Sequence, residues 1–252
     1  MEQARIRDGM IEAQHLVKRF RDKKRGTVCA VNNVSFSCRP GEIYGLLGAN
    51  GAGKTTALRI LATILEPTEG TAIVAGYDVK KDPQKVRACV GFLSTATALY
   101  ARLSALEMVE YFGRLHGLDE PTLRRRIDVI FGRLEMNDFR DRRCDKLSTG
   151  MKQKVSIART LVHDPSVMIF DEPTVGLDVM AARTIVGFIR ECRDGGKTVI
   201  FSTHVMSEVE KLCDHIGIIH GGRLMAEGTL AELRLRFNLH DLEDIFVKVV
   251  ES

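Results

Sequence analysis

The segment Gly48-Ala49-Asn50-Gly51-Ala52-Gly53-Lys54-Thr55 decides how this chain is read. It stands between a short apolar run at 43–47, which reads as a strand, and the stretch 54–65, which reads as a helix closed by Pro67 and Gly70. Strand, glycine-rich loop and helix in that order satisfy G-x-x-x-x-G-K-[S/T] together with its structural context. The residue types suit a polyphosphate. Glycines let backbone N–H groups turn inward without side-chain obstruction, and a helix beginning near Gly53 adds its N-terminal partial positive charge. Lys54 is placed to reach the β- and γ-phosphates, and the Thr55 hydroxyl to ligate Mg²⁺. With Thr56, these residues are the predicted nucleotide-binding segment. The motif alone leaves kinases, GTPases, helicases and transport ATPases open.

Further along, Val167, Met168, Ile169 and Phe170 form a second apolar strand that ends on Asp171 and Glu172. Open α/β sheets bind ligands at the C-terminal ends of their strands, where these two carboxylates emerge. Asp171 is placed to hold Mg²⁺, and Glu172, pointing elsewhere, to polarise an attacking water. Taken alone, the pair is equally well read as a cap for the loop that follows.

Around these sites the texture alternates. Short β-branched runs at 72–75, 198–201 and 216–219 read as strands, and 178–192 as the helix of a βαβ unit. From about 94 to 163 the pattern is helical: Leu123, Ile127, Ile130 and Leu134 share one face, and Pro121 suits a first helical turn. The segment 18–25, with six basic residues in eight, reads as a solvated loop. The predicted fold is a mostly parallel α/β core interrupted by a helical insertion, with short helices at 230–250.

The 252 residues carry 44% hydrophobic and 28% charged side chains and a net charge of +4. Such a chain buries a real core, and its charge implies no nucleic-acid partner. Six cysteines are scattered without a C-x-x-C pair or zinc spacing, and the first residues do not read as a signal peptide. Reduced thiols in a cytoplasmic setting are expected. No run approaches the ~20 apolar residues that span a bilayer, so any membrane path would come from another chain.

Between the two phosphate-site segments lies Leu147-Ser148-Thr149-Gly150-Met151-Lys152-Gln153, which resembles the L-S-G-G-Q-x-Q signature of ABC ATPases. Val175-Gly176-Leu177-Asp178 looks like the D-loop of that family, Ser202-Thr203-His204 like its switch-histidine strand end, and Phe20 like the aromatic that stacks on adenine. The resemblance covers nearly the whole chain. It implies a P-loop NTPase of ABC type: a RecA-like core with an antiparallel β portion (about 1–93 and 164–228), an inserted α-helical subdomain (about 94–163) and a short helical tail (about 229–252). It implies ATP and Mg²⁺ as ligands, with Glu172, His204 and Lys54 as catalytic groups and Thr55 and Asp171 holding the metal. It also implies a dimer of ABC subunits, expected to be a homodimer. There the signature residues Leu147, Ser148, Thr149, Gly150 and Met151 meet the partner's nucleotide, and Asp178 crosses the interface. A separate membrane permease would be the other partner, at the cytoplasmic face of the membrane.

Two positions depart from the family pattern. Thr95 stands where the family has a glutamine that contacts Mg²⁺ or the lytic water; its shorter side chain is expected to alter rate and coupling more than nucleotide binding. Thr149 and Met151 depart from the signature, and Thr149 keeps its backbone N–H but adds a β-branched side chain beside a phosphate site. Within the family, the run from Lys146 to Val155, the D-loop and the tail Leu242-Glu243-Asp244-Ile245-Phe246 look like the sodium-extrusion (NatA-like) exporter ATPases. A soluble ABC ATPase acting on ribosomes or DNA, and a nucleotide-dependent regulatory module, are the alternatives. The first usually needs a long coiled coil or a second ABC unit, and neither pattern is present.

Overall fold

The computed structural model describes residues 10–22, 26–94 and 99–251. The chain opens with an antiparallel hairpin of β1 (Ile11–Asp22) and β2 (Gly26–Cys38). It then enters the principal sheet as β3 (Ile43–Leu47) and leaves through helix α1 (Lys54–Leu61). Strands β4 (Glu69–Val74) and β5 (Tyr77–Asp78) complete a four-stranded antiparallel sheet in the order β2-β1-β4-β5. Helix α2 (Pro83–Cys89) leads into β6 (Val90–Ser94).

Three helices follow: α3 (Ala105–Leu115), α4 (Glu120–Arg133) and α5 (Thr149–Leu161). The chain returns as β7 (Val167–Asp171), α6 (Val179–Asp194), β8 (Thr198–Thr203), α7 (Met206–Leu212), β9 (His215–His220) and β10 (Arg223–Gly228). It ends in α8 (Leu230–Phe237) and α9 (Leu242–Glu251). The principal sheet has the order β10-β9-β3-β8-β7-β6 and is parallel except at its β10 edge.

Strand periodicity explains the layering. In β7, Val167 and Ile169 face the core shared with α1 and the antiparallel sheet, while Met168 and Phe170 face α6 through Ile185, Phe188 and Ile189. A strand buried on both faces must be apolar throughout, which is why β7 shows no alternation in its sequence. Helix α1 fills the space between the two sheets with Ala57, Leu58, Ile60 and Leu61. The three helices between β6 and β7 have a core of their own, including Met108, Leu123, Ile127, Phe131 and Val155.

Two expectations change. Helix α1 ends at Leu61 rather than at residue 65, because Thr63 turns left-handed (φ 58) and the N–H groups of Ile64 and Leu65 bond back to the Arg59 carbonyl. The tight reversal closes the helix a turn before Pro67. The basic segment from Lys18 is a strand, not a loop, as far as Asp22: Arg19, Phe20 and Arg21 pair with Cys29, Val28 and Thr27. Local charge hid the pairing, which is set by a partner strand with Thr27 and Val28 in it.

Where the helical region meets the core, His163 lies parallel to His116 with ring centroids 3.7 Å apart, and its Nε2 bonds the Val90 carbonyl at 3.1 Å. Its Nδ1 is buried and has no hydrogen-bond partner among the described residues. Burial, then the neighbouring His116, push the His163 pKa down to about 4 from the ordinary 6.5. Between those values the unfolded chain takes up a proton that the folded chain refuses. The stabilisation is therefore complete above about pH 6.5 and lost as pH falls toward 4, by up to about 3 kcal/mol. Urea unfolding from pH 7 to pH 4 should show this slope, and His163→Phe should flatten it.

Candidate functional site

Strand β8 lies between β3 and β7, with Leu47 opposite Thr203 and Asp171 opposite Ser202. The C-terminal ends of three parallel strands therefore converge, and each delivers part of the site. From β3 comes the glycine loop. The Gly48 N–H donates to the Thr203 carbonyl at 3.3 Å, so the loop starts against β8. Gly51 (φ 80) and Gly53 (φ 107) are both left-handed. Gly53 caps α1 with no side-chain hydrogen bond to the helix N-terminus. The first N–H groups of α1 thus have no acceptor within the helix, and they open onto a cavity of about 460 Å³ lined by the loop, Thr55, Thr56, Glu172 and Ala30. Such an end attracts anions.

Lys54, almost wholly buried, donates to Gly48 O at 2.7 Å and to Ala49 O at 3.1 Å, and its ammonium forms an ion pair with Glu172 Oε1 at 2.9 Å. From β7, Asp171 Oδ1 accepts the Thr55 hydroxyl at 2.8 Å. A hydroxyl whose proton is held by a carboxylate turns its lone pairs elsewhere, and together the two groups make an oxygen-rich seat of the kind a hard divalent cation takes. Glu172 stands at φ 46, so its side chain diverges from that of Asp171 and reaches Lys54 on one side and His204 Nδ1, at 3.3 Å, on the other. His204 follows β8 and is partly exposed.

The structure thus brings Gly48, Ala49, Asn50, Gly51, Ala52, Gly53, Lys54, Thr55, Thr56, Asp171, Glu172 and His204 together. Phe20 stands opposite Val28 on the hairpin, two residues along β2 from Ala30, and does not itself line the cavity. The signature residues also lie elsewhere. Leu147 is buried, Ser148 caps α5 by accepting the Met151 N–H at 3.3 Å, and Met151 packs on the helical core. Thr149 lines a separate depression with Val175, Gly176 and Leu177, and Gly150 has open space where a Cβ would be. Asp178 caps α6 with bonds of 2.9 Å to the N–H groups of Met180 and Ala181. Thr95 lies outside the described residues.

Two contributors were missed from sequence. Ser202 was noted only as part of a motif, yet its hydroxyl donates to Asp171 Oδ1 at 2.9 Å and accepts the Glu172 N–H at 3.0 Å. Gly222, in the β9–β10 turn, donates to the Ala52 carbonyl at 3.0 Å and accepts from Asn32 N at 2.8 Å, buttressing the loop. The Gly221-Gly222 pair signals a turn, but nothing local signals its long-range contact.

This assembly of glycine loop, acidic strand end and histidine strand end is that of an ABC-type nucleotide-binding subunit. The ABC transporter family model matches residues 31–175, and the chain belongs to this family as an ATP-binding subunit. It is 43% identical over 239 residues to the ABC transporter ATP-binding protein NatA of Bacillus subtilis (strain 168), covering 94% of this chain and 97% of that one. It is 35% identical to the linearmycin resistance ATP-binding protein LnrL of the same organism, covering 89% of this chain and 70% of that protein. Among solved structures, an ATP-binding subunit of an ABC transporter aligns with a TM-score of 0.84 at 28% identity, covering 95% and 98% of the two chains. A dimeric ATP-binding cassette in a post-hydrolysis state, bound to ADP and Pi, aligns at 0.77 with 25% identity, covering 87% and 98%.

The glycines of the loop supply a direct check. A Cβ on Gly53 would stand 2.3 Å from the Ala30 carbonyl oxygen, whereas one on Gly51 would meet nothing within 4 Å. Gly51→Ala should therefore cost only its left-handed backbone, about 1–2 kcal/mol. Gly53→Ala should cost more and abolish nucleotide binding, because the N-terminus of α1 must shift. Thermal melts and fluorescent-nucleotide titration of both variants test the difference.

Proposed function

We propose that this chain binds Mg-ATP and hydrolyses it as one of two ABC subunits, driving export through a separate membrane permease. The observation that carries the reading is the Glu172 carboxylate, turned away from Asp171 and held between Lys54 Nζ at 2.9 Å and His204 Nδ1 at 3.3 Å. That places a proton acceptor beside the phosphate loop, next to a second polar group that can align water. Because Glu172 pairs with Lys54, an arriving γ-phosphate would compete with it for the ammonium and release the carboxylate toward water. Thr55 and Asp171 would hold Mg²⁺, which when bound neutralises charge on the phosphate oxygens. The uncapped α1 N-terminus and Lys54 stabilise the remaining charge, so catalysis is mostly positioning and electrostatics.

Other readings fit the same frame. The signature segment and the D-loop lie apart from this chain's own cavity, which supports their use against a second subunit. Val179 and Met180, beside Asp178, are each 70% exposed, as apolar residues awaiting a partner would be. In this reading the chain works as one ABC domain, with the helical subdomain inserted in the α/β core and the short helical tail packed after it. No helix among the described residues is long and apolar enough to cross a membrane. A groove of about 510 Å³ where α3 and α5 meet β6, lined by Phe92, Phe112, Arg87 and Arg159, is the proposed seat for the permease at the cytoplasmic face. The likeness to linearmycin and daunorubicin resistance subunits and to a Nod factor export ATP-binding protein supports export. Sodium is the proposed cargo, on the resemblance of the signature run and tail to the sodium-extrusion ATPases.

Glu172→Gln should keep ATP binding, lower turnover by about 10²–10⁴-fold and accumulate an ATP-bound dimer. Phosphate release and gel filtration with ATP measure this, and wild-type turnover in the variant would remove Glu172 from its role. Purified from its own cells in mild detergent, the chain should carry a polypeptide with several membrane-spanning helices. Recovery with ribosomes or DNA alone would instead support a soluble ABC ATPase.

A further inference from the structure

Ser202, one residue before the end of β8, is wholly buried, and its hydroxyl serves both carboxylate residues of the site at once. It gives its single proton to Asp171 Oδ1 at 2.9 Å and accepts the Glu172 main-chain N–H at 3.0 Å. Two features make this more than incidental. The oxygen it bonds is the one that also accepts Thr55, so Asp171 is fixed from two directions on one atom. And Glu172 sits at φ 46, a region that a residue with a Cβ rarely adopts, so something must hold its peptide there. Relaxation of that peptide would swing the Glu172 carboxylate away from Lys54 and His204.

We propose that Ser202 is a positioning residue for ATP hydrolysis. It locks the Asp171–Glu172 step so that one side chain faces Thr55 and the other faces Lys54 and His204, without itself touching nucleotide. The inference rests on the proposed role of Glu172 in activating water. Because the Glu172 N–H also reaches the Ser202 carbonyl at 3.2 Å, loss of the hydroxyl leaves that donor a partner, and Asp171 keeps Thr55. Ser202→Ala should therefore fold with its phosphate loop intact while its carboxylates lose their alignment.

The test compares Ser202→Ala with Thr198→Ala. Thr198 is the equally buried hydroxyl at the opposite end of β8, bonded to Gly41 N at 3.0 Å and outside the site. Ser202→Ala should lower kcat about 10- to 100-fold, as a misplaced reacting group does. ATP affinity should stay within about threefold of wild type. Thr198→Ala should lower the melting temperature without changing kcat. Ser202→Thr, which keeps the hydroxyl, should recover part of the rate. Added to Glu172→Gln, Ser202→Ala should lower the residual rate no further, since it acts through the residue already removed. If Ser202→Ala does not fold, the near-isosteric Ser202→Cys takes its place in the same assays. An unchanged kcat, a parallel loss of kcat and ATP binding, or a multiplying effect on top of Glu172→Gln overturns the proposal. Where Glu172→Gln is inactive and Ser202→Ala behaves as wild type, this inference alone fails. Full turnover in Glu172→Gln removes the role of Glu172 on which this inference rests, and leaves ATP hydrolysis itself standing.

Discussion

Strand β8 enters the sheet between β3 and β7, and the register on its two sides decides where every reactive side chain of the site ends up. Leu47 opposite Thr203 puts the start of the glycine loop beside the end of β8, and Asp171 opposite Ser202 puts the acidic step on its other flank. A slip of one residue would turn Ser202 to the opposite face and carry its hydroxyl away from Asp171. The register is defended from both faces at once: Ile200 packs into the core beside α1, and Val199 and Phe201 pack against α6. Burial on both sides, not any bond within the site, is what makes the strand ends dependable.

The glycine loop adds a second requirement, that a helix begin without a side-chain cap at the floor of a cavity. An uncapped start leaves donors without partners, a cost of about 1 kcal/mol relative to a serine or aspartate cap. Elsewhere Ser104 and Thr229 form reciprocal capping boxes with Glu107 and Glu232, and Asp119 and Asp178 cap α4 and α6, whereas α2 and α7, like α1, have no side-chain cap. What sets α1 apart is that its uncapped start, at Gly53, opens onto the loop cavity, where an anion would find free donors. The Gly222 turn and the close approach to Ala30 hold that helix in place from outside.

Much of this could be read in the sequence, for a definite reason. The loop Gly48 to Thr55 and the run ending at Asp171 and Glu172 are local patterns, each carrying its own strand or helix signal. The helical pattern of Leu123 and Ile127 likewise reports a buried face directly. What was not legible depends on partners distant in sequence. Lys18 to Asp22 looked like a solvated run because the pairing with β2 lies in its partner, and the early stop of α1 depends on Thr63 adopting a left-handed turn that few residues other than glycine announce. Ser202 was visible as a motif letter, but its two bonds cross from β8 to β7, and only the sheet order reveals them.

The pairing of Lys54 with Glu172 gives the site a logic beyond the inventory of its parts. A buried lysine needs partners for its donors and its charge, and here it donates to two loop carbonyls and forms an ion pair with the carboxylate. The loop carbonyls are part of the binding frame itself, so the carboxylate is the partner that can be exchanged without unmaking the loop. A phosphate oxygen is likewise an anionic acceptor and could replace the carboxylate on Lys54. In the proposed mechanism this exchange would couple arrival of the anion to release of Glu172 on the side where His204 stands at 3.3 Å. Both residues can leave their resting contact only because Asp171 and the Glu172 main chain are held independently, by Thr55 and Ser202. The site is thus fixed where geometry matters and left exchangeable at the one contact the anion must take over.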